Sequence, residues 1–90
     1  MSTENVVFLD PSQCRAARAL LGMTQPALAD ASKLGLSTIV DFERSRRPVS
    51  ALAVKAMLKA LEAAGVEFIP ENGGGPGVRL RKSLRPKRSK

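Results

Sequence analysis

Thr24 and Gln25 stand just ahead of Pro26, where a helix can begin. The first turn of a helix offers N–H groups and a partial positive charge to an anion. Further on, Ser37 and Asp41 are polar groups set among Leu36, Thr38 and Val40, and Arg44, Arg46 and Arg47 follow. These residue types bind rather than make or break bonds. The arginines and the helix start suit phosphate. Ser37 donates or accepts, Asp41 accepts, and Leu36 and Val40 offer apolar contact. The chain has no histidine and one cysteine, Cys14, so neither a Ser/His/Asp nor a Cys/His arrangement can be assembled. A zinc site and an internal disulfide are excluded on the same count. The acidic residues are scattered, with no pair that periodicity places together. We therefore expect no enzyme, no metal and no cofactor.

Charge points to the same kind of partner. The net charge is +7, and it is confined to one end. Arg79, Arg81, Lys82, Arg85, Lys87, Arg88 and Lys90 lie in a stretch with no acidic residue, while residues 1–78 balance to zero. A basic end favours an anionic partner such as nucleic acid. With three Phe and neither Tyr nor Trp, the aromatic platforms that stack single-stranded bases are scarce. No signal-peptide pattern and no apolar run near the ~20 residues of a membrane helix is present, so a soluble cytoplasmic protein without membrane contact is expected.

Four helices must position these groups. Asp10 is a good N-cap, Pro11 suits the first helical position, and Gln13 stands where a capping box needs it. Cys14, Ala17, Leu20 and Leu21 recur at helical spacing until Gly22. Thr24 caps a second, short helix with Leu28, Ala29 and Ser32 on its inner side, ending near Lys33. A third runs from about Gly35 to Ser45, with Ile39 and Phe42 inward. Ser50 caps a fourth, Ala51 to Ala64, whose apolar face is Leu52, Val54, Met57, Leu58 and Leu61. After Gly65 the period changes. Val66 to Ile69 and Val78 to Arg81 read as strands of a hairpin, and Pro70 to Gly77 as its loop. The glycine cluster there lacks the Lys-Ser/Thr of a phosphate-binding loop. The expected division is an N-terminal arm at 1–9, a helical domain at 10–65, a hairpin at 66–81 and a disordered basic tail at 82–90.

The stretch MTQPALADASKLGLSTIVDFERSRRP resembles the Cro/repressor-type, or XRE-like, helix-turn-helix family, and the resemblance extends over about Arg15 to Phe68. It implies a mainly α fold: a four-helix domain, here followed by the β-hairpin and tail. It also implies an ion pair between Arg18 and Glu43, joining the first and third helices. Lys33 departs from the family, which favours Gly or another residue tolerant of positive φ at that position. The third helix becomes the recognition helix of the major groove. Base edges are then met by Leu36, Ser37, Thr38, Val40 and Asp41, and phosphates by Thr24, Gln25, Arg44, Arg46 and Arg47.

Family members usually act as dimers on palindromes with half-sites ~34 Å apart. Phe68, Ile69, Val78 and Leu80 of the hairpin are the candidate homodimer contact. The expected function is sequence-specific binding of double-stranded DNA by a transcriptional regulator, a repressor that competes with polymerase. The alternative is a protein-interaction module of the same fold, antitoxin- or anti-activator-like, that grips a protein partner through the Leu36/Val40 face.

Overall fold

The computed structural model describes residues 9–81; the expectations for residues 1–8 and for the tail at 82–90 lie outside them. The elements are α1 (Pro11–Leu21), α2 (Gln25–Ser32), α3 (Leu36–Glu43), α4 (Ala51–Ala64), β1 (Val66–Ile69) and β2 (Gly77–Leu80). Each boundary has a local cause. At Asp10 the side chain accepts from the Ser12 N–H while the Gln13 side chain accepts from the Asp10 N–H, a complete capping box. Thr24 and Ser50 accept from the N–H groups of Ala27 and Ala53, each satisfying a helix-start donor that has no partner within the helix. Gly22 closes α1 in the left-handed region at φ 66.

Two further helix ends use the left-handed region without glycine. Lys33 closes α2 at φ 62, and Ser45 follows α3 at φ 54. Beyond α3 the Arg46 N–H reaches back to the Asp41 carbonyl at 2.9 Å, a Schellman-type closure. For a residue with a Cβ this region is strained by roughly 1–2 kcal/mol.

The core gathers Cys14 and Ala17 from α1, Leu28 and Ala29 from α2, Ile39 and Phe42 from α3, Met57 and Leu61 from α4, and Val66 from β1. Ala29 is 6% exposed where α2 meets its neighbours, and Leu34 of the turn packs against the same cluster. Three positions differ from the sequence pattern. Leu20 is 43% and Leu52 81% exposed, so each lies outside the stripe that its helix buries. Leu9, placed in the N-terminal arm by its sequence run, is buried in the core at 4%. The third helix also ends at Glu43 rather than near Ser45, because Ser45 turns the chain out of the helix.

The two strands pair antiparallel, Val66 opposite Leu80 and Phe68 opposite Val78. The second begins at Gly77 and ends at Leu80, one residue earlier than the alternation of Val78 to Arg81 indicates. The hairpin lies against α1. Gln13, 5% exposed, is the tie between them: its Nε2 donates to the Gly77 carbonyl at 2.9 Å while its Oε1 serves the capping box. One side chain thus fixes the start of α1 and the start of β2. No helix of the described residues is long and apolar enough to cross a membrane.

Candidate nucleic-acid interface

Helix α3 divides by periodicity into two faces. Ile39, Phe42 and Glu43 are buried. Leu36, Ser37 and Arg44 are exposed, and Thr38, Val40 and Asp41 are intermediate. The five residues expected to meet base edges therefore share the side of α3 away from the core or its margin. At the far end stand Arg44, Arg46 and Arg47, all exposed.

The buried face of α3 ends in a charge, Glu43, whose side chain is 1% exposed. Burial alone would force its carboxyl to hold a proton. Against that, Arg18 donates from Nε to Oε2 and from Nη2 to Oε1, both at 2.7 Å, the bidentate fork that suits a carboxylate. Cys14 Sγ donates to Oε2 at 3.1 Å and Gln25 Nε2 to Oε1 at 3.0 Å. Burial pulls the carboxyl up, but these three donors and the Arg18 charge prevail and hold it below its ordinary range. Arg18 is raised in return, chiefly by its hydrogen bonds to Glu43. Burial, helped by the neighbouring carboxylate, pushes the Cys14 thiol up, so it stays a donor. The same arginine reaches the Met23 carbonyl at 3.1 Å, and Arg15 donates to the Glu43 carbonyl. One network thus joins α1, the start of α2 and the end of α3.

Beside this network lies an open groove bordered by Arg15, Thr24, Gln25, Pro26, Arg44 and Ser45. It joins the start of α2 to the end of α3. Pro26 brings no N–H and Thr24 already takes that of Ala27, so the Gln25 N–H is the remaining donor of that first turn for an anion. The Gln25 side chain is committed to Glu43. Arg15 was not singled out by its sequence context, because only the fold brings α1 alongside the end of α3. Asp41 is held as well: Arg47 Nε donates to its Oδ2 at 2.6 Å, and Arg46 Nη1 lies 3.8 Å from its Oδ1. Among the described residues no group of three or more Cys, Asp or Glu side chains converges as metal ligands would.

A short helix α2, a tight turn at Lys33–Leu34 and an α3 with one face open is the geometry of a helix-turn-helix, and a helix-turn-helix family model matches residues 15–68. The chain belongs to this family, of the Cro/repressor type. A search of curated proteins gives no match. As a DNA-binding helix-turn-helix domain, the chain carries α3 in the place of the recognition helix. Lys33 holds the left-handed turn position between α2 and α3, at φ 62. In this helix-turn-helix the hairpin contributes differently: Phe68 and Val78 pack partly against the core, Ile69 is half-buried, and Leu80 is 53% exposed.

Proposed function

We propose that the protein is a sequence-specific regulator of transcription that binds double-stranded DNA as a homodimer and acts as a repressor, in the cytoplasm where its promoter is. The observation that carries the reading is the open face of α3, whose C-terminal end is bordered both by the start of α2 and by three exposed arginines. Leu36 and Val40 pack on thymine methyl groups, and Ser37 and Thr38 bond base edges, with Asp41 at the end of the row. The Gln25 N–H with Thr24, together with Arg44, Arg46 and Arg47, engages phosphates and sets the register. Residues 10–65 read the half-site. The hairpin at 66–81 joins two copies, and since Phe68 and Val78 also serve the core, the contact falls chiefly to Leu80 and Ile69.

The alternative occupant of the α3 face is a protein, a reading favoured by the 45% exposure of Leu36. In vitro selection from random duplex DNA at near-physiological salt separates the two. An enriched palindrome, lost on Ser37→Ala, supports the regulator. Binding without an enriched motif that fades as salt rises overturns it and directs the search to a protein partner.

A further inference from the structure

Ser37, Asp41 and Arg44 lie opposite the buried trio of α3 at helical spacing, so a carboxylate at position 41 should stand in water. Its side chain is nevertheless only 16% exposed. The reason is the turn after the helix. Ser45, at φ 54, sends the chain back, and two arginines close over Asp41. Arg47 Nε lies 2.6 Å from Oδ2 and Arg46 Nη1 3.8 Å from Oδ1. We propose that Arg47 reads guanine from the groove-facing surface of α3, and that Asp41 is the positioning residue that aims it. This inference rests on the DNA-binding reading above and exchanges the roles of the two residues within it: Arg47 leaves the phosphate set and Asp41 ceases to meet a base.

The donor inventory supports the exchange. A guanidinium has one N–H on Nε and four on its two Nη atoms. Asp41 takes the Nε–H, and the Nη fork remains. In the major groove guanine presents N7 and O6 side by side, two acceptors spaced for that fork. Arg47 is 56% exposed, so the fork is open to a ligand. A phosphate contact needs no such aim, since even the flexible point charge of a lysine serves it. Asp41 also cancels positive charge beside the DNA, which weakens a backbone contact but costs a base reader little. Its carboxylate fixes a long side chain whose ordering otherwise falls on the binding step. Arg44 and Arg46, the latter only loosely placed near Asp41, stay with the phosphates.

The test is in vitro selection with the intact chain and its Arg47→Lys, Arg47→Ala and Asp41→Asn variants. It is followed by binding to the selected duplex and to the same duplex with 7-deazaguanine at each guanine in turn. Thermal unfolding of each variant checks that all are folded. The intact chain is expected to select a fixed guanine in each half-site and to lose about tenfold or more in affinity when that base loses N7. Arg47→Ala should lose the preference at that position and become insensitive to the 7-deaza change, and Arg47→Lys, which keeps the charge but not the planar fork, should weaken both. Asp41→Asn should relax the same position without weakening binding to unselected duplex. If Arg47→Lys keeps every base preference and Arg47→Ala weakens all duplexes alike, lowering the salt slope by about one, Arg47 is a phosphate contact and the assignment falls. Unchanged preference in Asp41→Asn removes its positioning role alone. Failure of the intact chain to select any motif overturns the DNA-binding reading itself.

Discussion

Asp41 and Glu43 stand on the same helix, and each is paired with arginine. Glu43 faces inward, 1% exposed, with Arg18, Cys14 and Gln25 arranged around it. Asp41 faces outward, 16% exposed, covered by side chains that are themselves more than half exposed. In the interior a lone charge is intolerable, so every lone pair of Glu43 matters and the network joins three helices. At the surface water replaces a lost partner at little cost, so the Asp41 pair is free to serve recognition. A carboxylate paired with arginine thus holds the fold on the inner face of α3, and on the outer face it lies in the surface proposed to meet DNA.

The largest expected effect breaks the inner pair. Glu43→Ala leaves the partly buried Arg18 cation without its partner and should cost about 3–5 kcal/mol in chemical unfolding. The double change Arg18→Met with Glu43→Leu should recover much of that, because no charge is then left stranded. Acid tests the same pair. Glu43 binds fewer protons folded than unfolded near its ordinary value of 4.5. Its contribution is therefore full above about 4.5 and is lost as the pH falls through the lower folded value. Urea unfolding from neutral to acid pH should show stability falling in that window, and Glu43→Gln should flatten the fall. It should not abolish it, because Asp10, lowered by its Ser12 hydrogen bond, titrates in the same direction.

Smaller effects come from the turns at either end of α3. Lys33→Gly and Ser45→Gly relieve left-handed strain and should each raise stability by about 0.5–1 kcal/mol. Ser45→Gly also tests whether the turn keeps Arg47 on Asp41. Smallest of all, Asp41→Asn should shift stability by less than about 0.5 kcal/mol. A loss of several kcal/mol there would erase the contrast with Glu43.

Helix starts and stops were legible because their chemistry is local: Asp10, Thr24 and Ser50 cap residues within their own first turn, and Gly22 and Gly65 end helices by their own φ. The inward residues of the short helices, Leu28, Ile39 and Phe42, followed from spacing. Leu20 and Leu52 did not, since each belongs to an apolar run wider than the stripe its neighbours cover. The tie between Gln13 and Gly77 crosses nearly the whole chain, and no local pattern announces it. Within the interface, the exposed face of α3 was readable from its spacing. The commitment of the Gln25 side chain to Glu43 was not, nor was the folding of Arg47 onto Asp41. The second depends on a left-handed serine, a residue type that does not signal such a turn.

The face of α3 as the DNA-reading surface is tested most directly by amide chemical shifts of the isotope-labelled chain as its selected duplex is added. The account predicts changes at Thr24 and Gln25 and from Leu36 to Arg47, with exposed Leu52 of α4 unaffected. Shifts confined to the hairpin or the basic end, with α3 silent, would contradict it.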